Sequence, residues 1–232
     1  MSSHPTRTEA ELSFGLAFVG GYGDAVAFVL AKTFTGHVTG NLVLAAISVV
    51  GHDSPVMLSR FSAVLSFLAG ILLSVLLARL LAARPLRPYL STVLAAELIL
   101  IVGSYLALMS HAIAGTEIFV ICLALALGLQ NGAFHRAGHI TVHTTYITGM
   151  ITSLMLKQAE QFVPKADGGS VDSRRQTVRL LSGVWLSFFL GAATGAAMVM
   201  RFNEAGILGA TLILFALIVR NSMARSPLRS RH

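Results

Sequence analysis

Residues 33–41 have the sequence TFTGHVTGN, which is polar and weakens a helix although apolar runs flank it on both sides. A second stretch, TTYITGM at residues 144–150, repeats the Thr-Gly pair in the other half of the chain. Irregular backbone at membrane depth is tolerated only where it is buried in protein or lines a water-filled cavity. The two Thr-Gly stretches therefore predict two broken or re-entrant segments that line a pathway; the alternative is that threonine and glycine only mediate helix packing.

The composition around these stretches is that of an integral membrane protein. The chain has 232 residues, of which 55% are apolar and 12% are charged, whereas soluble domains carry about 25% charged residues. The net charge of +7 comes from Arg and Lys in loops and tails, where basic residues set topology and contact anionic lipid. The lipid bilayer is therefore the predicted partner, and no nucleic acid is expected. The single cysteine, Cys122, excludes an internal disulfide.

Apolar segments define the expected architecture. They lie at about 12–31, 38–51, 59–83, 89–110, 116–134, 145–163, 178–200 and 204–221. The segment 38–51 is too short to span as a helix, and 145–163 holds Lys157 and Glu160, which are costly in lipid. We predict an all-α membrane protein with six transmembrane helices and two re-entrant or broken segments. Eight full spans are the alternative.

Basic residues favour this count. The loop that carries Arg84 and Arg87 and the C-terminal tail with Arg220 and Arg225 are expected on the cytoplasmic side. Both fall there only if 145–163 enters and leaves the membrane on one face. The predicted organisation is a cytoplasmic tail at 1–11, one transmembrane domain at 12–221, and a basic cytoplasmic tail at 222–232.

The two halves of the chain share features in the same order. The matches are Gly21 and Asp24 with Gly128 and Asn131 at an offset of 107, Thr39-Gly40 with Thr148-Gly149 at 109, and Ser62, Ser66, Gly70 and Ser74 with Gly183, Ser187, Gly191 and Gly195 at 121. The last set forms small-residue stripes, which let helices approach closely. Repeats at about 12–110 and 116–221, of opposite orientation, are predicted, as in many channels and transporters. A stripe could instead form a homodimer contact.

Polar residues inside apolar runs are the candidate site. Acids within the membrane are rare and default to functional candidates, which singles out Asp24 and Glu97; a structural hydrogen bond from Asp24 to the first Thr-Gly stretch is the alternative. The predicted pathway residues are Asp24, Thr35, His37, Thr39, Asn41, Asn131, Thr145 and Thr148; the predicted helix breaks are Gly36, Gly40 and Gly149; the candidate proton carriers are Asp24, Glu97 and His37.

His135, His139 and His143 are spaced by four residues, which would line one face of a continuous helix and suit a metal. Gly138 and the polar surroundings argue against a continuous helix, so an interfacial loop is expected and no metal or cofactor is predicted. The sequence has no G-x-S-x-G, H-E-x-x-H or P-loop motif, and the protein is therefore not expected to be an enzyme.

Two long stretches, GYGDAVAFVLAKTFTGHVTGN from residue 21 and LGLQNGAFHRAGHITVHTTYITGMITSL from residue 127, carry a family resemblance. They contain a G-x-x-D-A start, an H-x-T-G-N element and a Q-N … T-T-x-x-T-G element. On these motifs the chain resembles the YoaK-like family of bacterial inner-membrane proteins, a domain of unknown function. The resemblance implies a multi-pass protein of the bacterial inner (plasma) membrane, and it implies no substrate. The histidine-rich connector from His135 to His143 departs from the family pattern.

The function expected from these observations is a small-solute channel or secondary transporter, with a central site formed by the two Thr-Gly segments. Half-helix ends present free N–H groups that hold polar or anionic ligands, so a small polar or anionic solute is the expected partner. The alternatives are a non-transporting membrane scaffold or sensor, in which the polar residues only join helices, and an intramembrane enzyme that uses His37, Asp24 or the later histidines.

Overall fold

The structure is a computed structural model that describes residues 5–81, 86–138, 140–145, 147–159 and 171–223. The described part is almost entirely helical. Its elements are α1 (Arg7–Ala31), α2 (Val38–Val50), α3 (Ser54–Leu80), α4 (Leu86–Met109), α5 (Gly115–Ala133), β1 (Arg136–Ala137), β2 (Ile140–Thr141), α6 (Ile147–Ala159), α7 (Val171–Phe202), a 3-10 turn (Asn203–Leu208) and α8 (Gly209–Met223). The two short strands pair antiparallel as a small hairpin.

Five stretches of the described chain are long and apolar enough to cross a membrane. They are Arg7–Ala31, Ser54–Leu80, Tyr89–Met109, Gly115–Ala133 and Arg174–Met223. The fifth stretch has 50 residues and contains both α7 and α8. The prediction of an all-α protein with membrane-length helices is therefore confirmed at this level.

The two segments predicted to be interrupted form the two shortest α-helices of the described chain. Helices α2 and α6 have 13 residues each, which gives a length of about 20 Å. The hydrocarbon core of a bilayer is about 30 Å thick, so the described length of each helix is shorter than this core. Each follows a non-helical connection, at residues 32–37 before α2 and around the β-hairpin before α6.

Local sequence explains the ends of α1. The Thr6 side chain accepts a hydrogen bond from the Glu9 backbone N–H, and the Glu9 carboxylate reaches back to the Thr6 N–H, which forms a capping box. At the other end, Lys32 adopts a left-handed conformation with φ 53°. That conformation ends the helix and turns the chain back along it. The helix thus begins within the polar residues that precede the first apolar segment.

Helix pairs from opposite halves run parallel. In the α1–α7 pair, Phe14 contacts Gly183 and Tyr22 contacts Gly195. In the α3–α5 pair, Ser62 donates a hydrogen bond to Glu117 near one end, and Ser74 contacts Gly132 near the other. Both pairs make extensive contacts. Each of these helices therefore packs mainly on a helix of the other half.

Three further helix pairs, α4–α5, α1–α5 and α1–α8, run antiparallel. Residues 110–114 join α4 and α5, which pack along one another in opposite directions. For α1 and α5, the direction is set by the contacts of Leu16 with Gln130 and of Gly23 with Leu127. For α1 and α8, it is set by the contacts of Glu11 with Arg220 and of Tyr22 with Gly209. Helices α1, α3, α4, α5, α7 and α8 consequently alternate in direction along the described chain.

Glycines make the closest approaches between the paired helices. A Cβ atom built on Gly21 would overlap the carbonyl oxygen of Phe188, and one on Gly191 would overlap that of Phe18. The α3–α5 pair repeats both contacts: Gly128 lies against the Phe67 carbonyl and Gly70 against the Leu125 carbonyl. The offsets are 107 residues for Gly21 to Gly128 and Phe18 to Leu125, and 121 residues for Phe67 to Phe188 and Gly70 to Gly191.

The small-residue stripes therefore pack within the chain. Gly191 and Gly195 face α1, while Gly70 and Ser74 face α5. Side chains without bulk let the backbones come this close, and the carbonyl groups of the partner helix fill the space that a Cβ would need. A homodimer contact remains a prediction, and these faces of the stripes are already occupied by the chain itself.

Candidate functional site

A buried carboxylate lies at the centre of the first broken segment. Asp24 is on α1 and is 3% exposed. After α1 ends, the chain folds back, so that the backbone N–H groups of Thr35 and Gly36 donate to Asp24 Oδ1 over 2.8 and 2.6 Å. The Thr35 hydroxyl lies 3.3 Å from the same oxygen. Backbone donors freed by the helix break thus satisfy the acid, and the acid in turn holds the break in place.

The second oxygen of this carboxylate pairs with a histidine. His37 Nδ1 lies 2.5 Å from Asp24 Oδ2, and His37 is the N-cap residue that immediately precedes α2. The imidazole ring also contacts the rings of Phe34 and Phe188, with centroids 5.4 and 5.8 Å away. A carboxylate and an imidazole at this separation share one hydrogen bond, which places a group able to gain or lose a proton beside the broken segment.

The second half of the chain supplies two amides at the end of α5. Asn131 Nδ2 donates to Thr145 Oγ1 over 2.8 Å, and Gln130 Nε2 donates to Thr144 Oγ1 over 2.6 Å. Gln130 Nε2 also lies 3.1 Å from the Leu16 carbonyl oxygen of α1. The Gln130 Oε1 atom is buried and has no hydrogen-bond partner among the described residues.

The two broken segments touch. A Cβ atom on Gly36 would lie 2.9 Å from Thr145 Cβ and 3.2 Å from Asp24 Oδ2, and one on Gly20 would lie 2.7 Å from the Thr144 carbonyl oxygen. Only glycine at these positions allows the approach. We name this group the central polar cluster; its members are Asp24, Thr35, His37, Gln130, Asn131, Thr144 and Thr145.

The cluster contains five of the pathway residues predicted from the sequence: Asp24, Thr35, His37, Asn131 and Thr145. The predicted helix break Gly36 lies between the two halves of the cluster. The structural hydrogen bond that was the alternative for Asp24 is present. Since this bond joins the acid to the broken segment itself, it is compatible with either role of Asp24.

Other predicted pathway residues lie elsewhere. The Asn41 side chain holds the turn before α2, because its amide donates to the Phe34 carbonyl over 2.6 Å and its oxygen accepts from the Phe34 N–H over 3.0 Å. Thr39 and Thr148 are exposed; Thr39 and the predicted break Gly40 line an open groove of about 560 Å³. Gly149 lies within the first turn of α6. Their place in a pathway remains a prediction.

Glu97 lies on α4 and is fully buried. Neither carboxylate oxygen has a hydrogen-bond partner among the described residues. Glu97 shares one face of α4 with Leu90, Leu94 and Ile101, all at most 2% exposed. It is therefore separate from the hydrogen-bonded cluster around Asp24.

The histidine-rich connector forms the small hairpin. The Val142 N–H donates to the His135 carbonyl over 3.0 Å. Burial lowers the pKa of His143, and the nearby His135 lowers this pKa further, because two cations at short range disfavour protonation. His139 lies outside the described residues. Within the described ranges no group of three His, Cys, Asp or Glu side chains is arranged to hold a metal.

Comparison with known proteins was informative at the family level. The family model "Protein of unknown function (DUF1275)" matches residues 12–220, which include both halves of the central polar cluster. The chain belongs to the DUF1275 family. The resemblance to YoaK-like proteins agrees with this membership. No curated protein and no solved structure matches the chain.

One residue of this DUF1275 chain that the sequence did not single out is Arg60 on α3. Its guanidinium donates to the Leu44 carbonyl and, over 2.5 Å, to the Ser48 hydroxyl, both on α2. A third contact, of 3.5 Å, reaches the carbonyl of Lys32 at the end of α1. Arg60 therefore ties α2 and the end of α1 to α3. An arginine seven residues into an apolar helix was the available signal, but its partners are distant in sequence.

Replacing Arg60 by methionine is expected to destabilise the DUF1275 fold. The substitution removes donors to two polar groups and keeps most of the aliphatic stem, and hydrogen bonds to a charged group contribute about 1.5–3 kcal/mol. The readout is the thermal unfolding midpoint in detergent, which we expect to fall. Arg79→Met, on an exposed position of the same helix, is the control. Equal midpoints for the two variants would show that Arg60 does not hold α2.

Proposed function

We propose that this protein is a small-solute channel or secondary transporter whose central polar cluster forms the solute site. The contact between Gly36 and Thr145 carries the proposal. It joins two interrupted segments that are about 110 residues apart, in a core that is otherwise mainly apolar. One side of the contact offers the Asp24–His37 pair, and the other offers amides and hydroxyls. Such a junction of broken helices is typical of transporter binding sites.

The proposed architecture is an inverted repeat with six crossings and two re-entrant segments. The alternating helix directions support it, because an odd number of crossings in the first half inverts the second half. The glycine contacts that recur at offsets of 107 and 121 residues also support it. With six crossings both termini lie on one side, and the basic tail makes the cytoplasm the expected side. We place the protein in the bacterial inner membrane on the strength of the family resemblance.

The solute class follows from the chemistry at the half-helix ends. The N-terminus of a helix carries a partial positive charge and free N–H groups. The N-cap residue of α2, His37, lies beside the Asp24 carboxylate, which already provides a negative charge there. At the corresponding place before α6, the neutral Asn131 pairs with Thr145. A small polar or anionic solute is therefore the proposed cargo, bound on the side where the described residues offer the neutral Asn131–Thr145 pair in place of an acid.

A membrane scaffold or sensor is the second candidate, and the packing around Asp24 favours it. Both oxygens of that carboxylate already have partners, and the acid is almost fully buried. A protein that moves solute must open this cluster to water at some stage. A scaffold keeps it closed, so solvent access distinguishes the two functions.

Single-cysteine labelling in a Cys122→Ala background tests solvent access. We expect membrane-impermeant maleimide to label positions 37–41 from outside and positions 145–149 from the cytoplasm, with the deepest positions accessible from both sides. Leu72→Cys is the control, because Leu72 is an exposed apolar position on α3 that should face lipid and stay unlabelled. A cluster that labels from neither side would reject the pathway and favour the scaffold.

A further inference from the structure

Glu97 is a buried acid that is not part of the central polar cluster. It lies near the middle of the apolar stretch Tyr89–Met109 and has no exposed surface. Transfer of an isolated ionised carboxylate into an apolar environment is costly enough that the group takes up a proton instead. Because Glu97 has no hydrogen-bond partner among the described residues, only protonation can remove the cost of burying its charge.

The charges on the neighbouring elements do not neutralise this acid. Helix α4 packs against α5, α8, the 203–208 turn and α3. The titratable or charged side chains of those elements are Glu117 and Cys122 on α5, Arg220 on α8, Glu204 on the turn, and Arg60 and Arg79 on α3. Glu117 bonds to Ser62, Arg220 to Glu11 and Arg60 to α2; Arg79 and Glu204 are exposed, and Cys122 is an uncharged thiol at neutral pH.

The 203–208 turn links α4, the helix that carries Glu97, to α1, the helix that carries Asp24. The turn packs against α4, α1 and α7. It begins at Asn203, which has a positive φ of 52°. The Tyr22 hydroxyl, two residues before Asp24, donates to the Gly206 carbonyl in this turn. A movement that separates the turn from α1 would therefore also change the packing on α4.

We propose that Glu97 is a proton-binding site that couples solute movement to a proton gradient, an inference that rests on the proposed transport function. In the conformation described here the carboxyl is protonated and enclosed. When α4 separates from the helices packed against it, water reaches Glu97, its O–H bond breaks, the proton passes to water, and the carboxylate stays behind in hydrated form. Rebinding of a proton precedes closure, because an enclosed carboxylate without a partner is unfavourable.

Dicyclohexylcarbodiimide tests for the protonated carboxyl, because this apolar reagent reacts with carboxylic acids in membrane interiors. In native membranes at neutral pH we expect an N-acylurea adduct on Glu97, found by mass spectrometry of the full-length chain. The adduct should diminish at alkaline pH and be absent from Glu97→Gln. Absence of an adduct at every pH from acidic to alkaline would overturn the assignment of a titrating proton site.

Coupling is measured in proteoliposomes that contain a pH-sensitive dye. Formate, nitrate and glycerol are added outside as probe solutes. In Glu97→Gln we expect solute entry without a pH gradient to stay within about twofold of wild type, and acceleration by a pH gradient to fall by about tenfold. Glu97→Asp should restore part of that acceleration. A purely structural role would change entry and acceleration together.

Two results contradict the proposal in different ways. If Glu97→Gln responds to the pH gradient as wild type does, the coupling role is wrong while the transport function stands. If wild type moves none of the probe solutes, coupling fails together with the proposed function, and the carbodiimide result alone then decides whether Glu97 binds a proton. If Glu97→Gln does not fold, wild-type protein treated with the carbodiimide replaces it. We then expect the pH gradient to stop accelerating solute entry, while entry without a pH gradient is retained. Unchanged acceleration by the gradient would contradict coupling.

Discussion

Gly21→Leu is expected to prevent assembly of the helix bundle, and Gly21→Ala to lower the thermal unfolding midpoint in detergent. A Cβ at this position would overlap the backbone carbonyl of Phe188, which cannot rotate away as a side chain could. Overpacking of this kind costs about 1–3 kcal/mol, and a protein of this size loses about 2–4 °C per kcal/mol. The leucine variant adds three further carbons to the same contact.

A matched set of alanine variants makes this test specific. Gly128→Ala meets the Phe67 carbonyl in the equivalent α3–α5 contact, so its loss of stability should equal that of Gly21→Ala. Gly103→Ala has no atom within 4 Å of the new Cβ and should be neutral or stabilising, because alanine favours a helix over glycine. If Gly103→Ala is as harmful as the other two variants, helix contact is not the cause. A clear difference between Gly21→Ala and Gly128→Ala would count against equivalent halves.

Asp24→Asn is expected to have the largest effect on solute flux. The amide keeps the size of the side chain but removes the charge that accepts from Thr35, Gly36 and His37. A charged hydrogen bond contributes about 1.5–3 kcal/mol, which corresponds to a fall in flux of about 10- to 100-fold. The measurement is light scattering by proteoliposomes after an osmotic step with formate, nitrate or glycerol.

The control for this experiment is Glu204→Gln, which removes an exposed acid outside the cluster and should leave flux unchanged. The amount of folded protein per vesicle is measured for every variant, so that flux is compared per folded molecule. Equal flux per folded molecule for Asp24→Asn and wild type would mean that the carboxylate supports only the structure. In that case the scaffold or sensor becomes the better account of the cluster.

The sequence predicted the local chemistry of the site better than its long-range contacts. Glycine and threonine in apolar surroundings indicated both interrupted segments, and α2 at Val38–Val50 nearly coincides with the predicted segment 38–51. The hydrogen bond from Asp24 to the first Thr-Gly stretch was the alternative that the sequence offered to a functional role of Asp24. Those features depend on residues within about fifteen positions of one another, where helix geometry limits the possible arrangements.

Contacts between distant residues could not be obtained in this way. Nothing in the sequence shows that Arg60 donates to carbonyl and hydroxyl groups of α2, because any exposed acceptor could serve. The exposure of Thr39 and Thr148 depends on how each short helix is rotated against its neighbours, and 13 residues carry too little periodicity to fix that rotation. The two-residue strands of the connector are likewise too short to leave a pattern.

The parallel pairing of α1 with α7, and of α3 with α5, has a consequence for biogenesis. When the first half of the chain has left the ribosome, Gly21 and Gly70 face lipid where they will later face helices made from the second half. The helices of the first half do not cover these glycine surfaces, so the surfaces stay exposed to lipid until the second half is made. Burial of these two glycine faces is therefore completed only after α5 and α7 of the second half have been made.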